Sequence, residues 1–143
     1  GHETPERTAA IRARFGIPVM KALGVASRAD LSNVNAYEQV ADYLLFDAKP
    51  PKNAALPGGN GLAFDWQILS DLDLTTPFMV SGGLDPSNVA TALAMTGAPG
   101  VDVSSGVETT PGIKDPSKIK AFIEAARGFH PHAIPRKQED NVS

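Results

Sequence analysis

Residues Phe78-Met79-Val80-Ser81-Gly82-Gly83-Leu84-Asp85-Pro86 and, after a helix-like segment, Gly100-Val101-Asp102-Val103-Ser104-Ser105-Gly106-Val107-Glu108 decide how this chain folds. Each half opens with a short apolar run and breaks at glycine. Asp85 suits a helix N-cap and Pro86 a first helical position, where a main-chain N–H would have no partner anyway. Val89, Ala92, Leu93 and Thr96 follow at the spacing of one buried helical face. The expected order is strand, glycine turn, helix, strand, glycine turn. Free N–H groups at two adjacent strand-to-helix turns form a cup for an anion, most often a phosphate.

The same alternation extends outward. Thr4-Pro5-Glu6 starts a helix that carries Ile11 and Phe15 and ends at Gly16. The run 17–25 is apolar and too brief for a helix, so it is expected to be a buried strand. Ser27-Arg28-Ala29-Asp30 resembles a capping box and predicts a helix to about Tyr37. Residues 42–49 form the next expected strand. The stretch 50–61, with Gly58-Gly59-Asn60-Gly61, is a long loop, either a substrate cover or a plain linker. Phe64-Asp65-Trp66 opens a helical segment to about Leu72, with Trp66 expected in the core. Val101–Val103 is the last expected strand. Asp115-Pro116 caps a final helix whose inward face is Ile119, Phe122, Ile123 and Ala126. The polar stretch 130–143, with His130 and His132, reads as a disordered tail behind a domain of residues 1–129.

Strands separated by helices imply an α/β fold with four parallel strands. That is half of a (β/α)₈ barrel, which typically takes roughly 250 residues and places a phosphate cup after its last two strands. An open sheet of four strands has two free edges, which invite self-association.

Composition narrows the function classes. The chain has 143 residues, 42% of them hydrophobic, enough for one globular domain with a core. Its net charge of −3 gives no electrostatic reason to expect nucleic acid or an anionic membrane as partner. With no cysteine, disulfides, thiolate metal sites and a cysteine nucleophile are excluded within the chain. No apolar run approaches the roughly 20 residues that span a bilayer. The polar start shows no signal-peptide pattern, so a cytoplasmic protein is expected.

Five motifs carry a more specific resemblance. They are Leu45-Phe46-Asp47-Ala48-Lys49, the run from Gly58 to Trp66, Ser81-Gly82-Gly83-Leu84-Asp85-Pro86-Ser87-Asn88-Val89, Asp102-Val103-Ser104-Ser105-Gly106-Val107-Glu108 and Pro111-Gly112-Ile113-Lys114-Asp115. In this order they resemble the phosphoribosylanthranilate isomerase family of tryptophan biosynthesis, over Gly1 to about Arg127. The resemblance implies the C-terminal half of a (β/α)₈ TIM barrel. Gly1-His2-Glu3 is similar to the end of the family's Gln-Leu-His-Gly-x-Glu motif, with His2 at its variable position. The family's catalytic cysteine and an arginine for the anthranilate carboxylate belong to the first four strands. The N-terminal half-barrel is therefore an expected partner, and the isolated chain is expected to be inactive.

The activity implied is the Amadori rearrangement of N-(5-phosphoribosyl)anthranilate to 1-(2-carboxyphenylamino)-1-deoxyribulose 5-phosphate. By resemblance Asp47 is the general acid that protonates the ring oxygen; a strand-end salt bridge is the plainer alternative. Gly82, Gly83, Ser104, Ser105 and Gly106 are the expected phosphate grip, since glycine lets the main chain approach an anion and serine adds donors; plain tight turns are the alternative. Asp102 is expected to touch substrate, with a structural hydrogen bond as the alternative. Glu108 is expected to charge the start of a short helix, and Lys21 to end a strand at the same face as a filler. No metal and no organic cofactor is expected, because the reaction only moves protons. The alternative function is a non-catalytic half-barrel that binds phosphate or dimerises.

Overall fold

Strands β1 (Met20–Val25), β2 (Tyr43–Ala48), β3 (Phe78–Ser81) and β4 (Gly100–Val101) lie side by side in chain order, all parallel. The structure, a computed structural model, describes residues 2–48 and 66–128. The Gly58–Gly61 loop, His130, His132 and the tail 130–143 lie outside the described residues. Helices α1 (Pro5–Phe15), α2 (Val34–Glu38), α3 (Gln67–Ser70), α4 (Val89–Thr96) and α5 (Pro116–Gly128) accompany the strands.

Parallel neighbours point their side chains the same way, and successive residues alternate faces. One face therefore carries Leu44, Phe46 and Val80, all fully buried, joined by Val25. Trp66, Leu69, Val89, Ala92, Leu93 and Phe122 from the helices complete this core. Phe46 and Phe78 meet edge to face at 5.7 Å between ring centres, a favoured aromatic arrangement. The other face carries Ala22, Leu45, Asp47, Met79 and Ser81, paired across the register as Ala22–Leu45, Leu45–Met79 and Asp47–Ser81.

Local signals explain most element ends. Thr4 Oγ1 accepts from the Arg7 N–H at 3.3 Å, and Gly16, at φ 64°, closes α1 in the left-handed conformation. Asp115 Oδ1 accepts from the Ser117 and Lys118 N–H groups and opens α5. Several boundaries differ from expectation. β1 begins at Met20, because Gly16-Ile17-Pro18 serves as a connection and Pro18 has no N–H to add to a ladder. The expected helix from Ser27 splits into a 3₁₀ turn, Arg28–Leu31, and α2, with Ser32-Asn33 between them. Both residues compete for main-chain partners and favour helix ends. The helix after Gly83 starts at Val89, not Pro86, although Asp85 Oδ1 still accepts from the Ser87 and Asn88 N–H groups. On α5 only Phe122 is buried, whereas Ile119 and Ile123 are exposed, because no described element covers that flank.

Lys21 also departs from its expected place. It is the second residue of β1, on the helix-covered face, and only 4% exposed. Its ammonium lies 2.9 Å from Glu3 Oε2 and over the Tyr37 ring, whose hydroxyl donates to the Glu3 carbonyl. Donation from Lys21 holds the Glu3 carboxyl down to about 2.

Asp42 fastens the start of the sheet. It accepts from the Val19 N–H at 2.8 Å and the Arg12 guanidinium at 2.6 Å. The Val19 N–H, aided by Arg12, holds its carboxyl below the usual range. A depressed carboxyl stabilises the fold above its unfolded value and loses that contribution as pH falls through its folded one. Asp42→Asn should therefore lower the urea midpoint at pH 7, with the gap to the parent closing as pH falls below the carboxylate range. A gap that stays constant with pH would contradict this.

Candidate active site

The open face of the sheet ends in a cleft of about 330 Å³ at the C-terminal edge of the strands. Its floor is Ala22 from β1, Leu45 and Asp47 from β2, and Ser81 from β3. Its wall is Gly82, Gly83 and Leu84 after β3, and Asp102 to Gly106 after β4. Asp47, Gly82, Gly83, Asp102, Ser104, Ser105 and Gly106, which the sequence singles out, therefore all line a single cleft. Two strand-end loops meet there because their strands are adjacent and parallel.

The main chain supplies the donors. Gly82 and Gly83 have φ of 87° and 65°, a region that glycine enters without strain. Among the described residues, the N–H groups of Gly82, Gly83, Leu84 and Ser104 donate to no other protein group. Asn88 ties the loop to the helix behind it, with Oδ1 accepting from the Asp85 N–H and Nδ2 donating to the Gly83 carbonyl, both at 2.9 Å. The second loop packs on the first at Gly106, where a Cβ would fall 1.8 Å from the Leu84 carbonyl oxygen. Only glycine fits that contact.

The side chains divide the cleft electrostatically. Asp47 forms no ion pair with any described residue. Asp102 is exposed and accepts from Ser81 Oγ at 3.0 Å. Its main-chain N–H donates to the Val80 carbonyl, continuing the β3–β4 ladder past Val101. No lysine or arginine among the described residues lines the cleft. Nor does any group of three or more His, Asp or Glu among them form a cluster suited to a metal ion.

Glu108 differs from its expected role at a helix start. A 3₁₀ turn, Ser105–Val107, leads instead into a hairpin of β5 (Glu108–Thr110) and β6 (Ile113–Lys114). Glu108 accepts from the Lys114 ammonium at 2.6 Å and from the Gly112 N–H at 3.1 Å. Lys114, then the Gly112 N–H, holds the Glu108 carboxyl below its ordinary value. The same ammonium donates to the Ser104 carbonyl at 2.8 Å and to Ser104 Oγ at 3.3 Å.

Ser81, which lines the cleft, and Lys114, which donates to Ser104 from outside the lining, are not among the residues the sequence singles out. The alternation that puts Asp47 on the open face puts Ser81 beside it, two residues after Met79. Pro111-Gly112 between Glu108-Thr109-Thr110 and Ile113-Lys114 is a turn signal that locates the hairpin.

The family model described as N-(5'phosphoribosyl)anthranilate (PRA) isomerase matches residues 1–125. A protein of Rhodopseudomonas palustris strain BisB5 named N-(5'-phosphoribosyl)anthranilate isomerase is 61% identical over 127 residues, 89% of this chain and 58% of its own. One of the same name from Paramagnetospirillum magneticum is 60% identical over 131 residues, 92% of this chain and 61% of its own. The crystal structure of phosphoribosyl anthranilate isomerase from Thermotoga maritima matches with a TM-score of 0.74 at 40% identity, over 90% of this chain and 59% of that one. A structure of the isomerase with reduced 1-(o-carboxyphenylamino)-1-deoxyribulose 5-phosphate matches with a TM-score of 0.71 at 36% identity, over 90% and 57%. The chain thus spans less than two thirds of the length of these relatives.

Contact between the two loops can be tested with two glycines. Gly106→Ala should lower stability by about 1–3 kcal/mol in urea unfolding, the usual range for forced overpacking. Gly128→Ala, where a Cβ meets nothing within 4 Å, should stay within about 0.5 kcal/mol of the parent. Equal effects would contradict the close approach.

Proposed function

This chain belongs to the N-(5'-phosphoribosyl)anthranilate isomerase family, and we propose that it supplies the phosphate grip and the general acid of that isomerisation. The single observation that carries this reading is the convergence of Asp47 and the Gly82–Gly83 and Ser104–Gly106 loops on one cleft.

In this scheme the N–H groups of Gly82, Gly83 and the Ser104–Gly106 loop hold the 5-phosphate of N-(5-phosphoribosyl)anthranilate. Asp47 gives its proton to the ribose ring oxygen, the bond from C1 to that oxygen breaks, and a C1=N iminium forms. Loss of the C2 proton to a base gives an enolamine, which becomes the ketone of 1-(2-carboxyphenylamino)-1-deoxyribulose 5-phosphate. Asp102, oriented by Ser81, faces the ribose hydroxyls or the anthranilate amine. The steps transfer protons only, so neither metal nor organic cofactor takes part. Asp47 suits the acid's role because it stands at a strand C-terminus beside the anion grip, where barrel chemistry is placed.

The base is not on this chain. The four strands act as the C-terminal half of an eight-stranded barrel, and the remaining strands bring the base to the open face. A second reading, a half-barrel that binds phosphate or self-associates without turnover, is favoured by the outer edges of β1 and β4, which have no strand partner among the described residues.

The chain alone should show no turnover. Joined to the part of the Rhodopseudomonas palustris relative that it does not match, it should isomerise the substrate. Asp47→Asn in that assembly should lower kcat by at least about a hundredfold, the scale of general acid catalysis, with product affinity retained. Turnover by the 143-residue chain alone, or an active Asp47→Asn assembly, would overturn the scheme.

A further inference from the structure

We infer that Lys114 is a positioning residue for the phosphate grip, acting from behind the loop through the Ser104–Ser105 peptide. The inference rests on the phosphate reading above and assigns the cleft a source of positive charge. A phosphate dianion in this cleft would meet the acidic side chains of Asp47 and Asp102 and no cationic side chain from the described lining residues. Among the described lining groups, only main-chain amides are placed to offset its charge.

Lys114 stands on β6, outside the lining, and is aimed at the loop's outer surface. Its ammonium takes the Ser104 carbonyl at 2.8 Å and Ser104 Oγ at 3.3 Å. In a trans peptide the C=O of one residue and the N–H of the next point in opposite directions. No described peptide bond is cis. Holding the Ser104 carbonyl toward Lys114 therefore turns the Ser105 N–H to the opposite side, where the cleft lies. A cation on the carbonyl also polarises the peptide and strengthens its N–H as a donor. The next residue but one is fixed as well, because Gly106 packs against the Leu84 carbonyl with no room for a Cβ.

Glu108 moderates the effect. Its carboxylate shares the ammonium at 2.6 Å and fixes the hairpin by accepting from the Gly112 N–H. Lys118 donates to the Glu108 carbonyl at 2.6 Å, which braces the hairpin independently of the carboxylate. The two residues thus have opposite signs in the proposal: Lys114 strengthens anion binding and Glu108 weakens it.

Inorganic phosphate titrated into the 143-residue chain by calorimetry tests this. Lys114→Met should weaken binding about tenfold, the scale of a hydrogen bond to a charged group. Lys114→Arg should recover it to within about threefold. Glu108→Gln should tighten binding by about threefold, as the half-buried ion pair is released. A hairpin that only braces the loop would instead bind more weakly in all three variants. Unchanged affinity in Lys114→Met, or weaker or unchanged binding in Glu108→Gln, overturns the inference. If Lys114→Met does not fold, Glu108→Gln decides by its sign. Parent chain that binds no phosphate would remove the phosphate reading itself, a separate result from unaltered binding in the variants.

Discussion

Everything in the cleft follows from the β2–β3 register. Because Asp47 lies directly opposite Ser81 in a parallel pair, the two side chains emerge together on the face that the helices leave open. A slip of one residue would send Asp47 into the packed core beside Val80 and bring Phe46 out to the open face. The register is held by that core: Leu44, Phe46 and Val80 are wholly buried on the other face. Hydrophobic burial on one side of the sheet thus sets the chemistry on the other.

The cleft separates its charges by depth. The carboxyl groups of Asp47 and Asp102 line the cleft, while the ammonium of Lys114 holds the Ser104 carbonyl from outside the lining. In the proposed isomerisation such a layout would leave orientation to main-chain dipoles, which need little reorganisation when charge moves. Gly106 makes the layout rigid, since its loop rests on the Leu84 carbonyl with no room for a side chain.

The parallel α/β fold was legible because each strand is bounded by glycine, proline or a capping residue. Thr4, Gly16 and Asp115 all act at the helix ends their types suggest. The cleft lining was legible where residue type marks a turn, as in Gly82-Gly83 and Ser104-Ser105-Gly106. Lys21 was misread because a lysine at a strand suggests an open face, and only tertiary contact with Glu3 and Tyr37 satisfies it on the packed one. Ile119 and Ile123 have the spacing of a buried face, yet spacing alone does not supply the neighbour that would cover them. The hairpin at Glu108 was missed because its strands of three and two residues are too short for periodicity to register.

The claim that the two glycine- and serine-bearing loops form one anion grip is tested most directly by amide chemical shifts of the chain in inorganic phosphate. Saturable changes should gather on Gly82, Gly83, Ser104, Ser105 and Gly106, with one shared affinity. Changes confined to another surface, or different affinities for the two loops, would contradict the account.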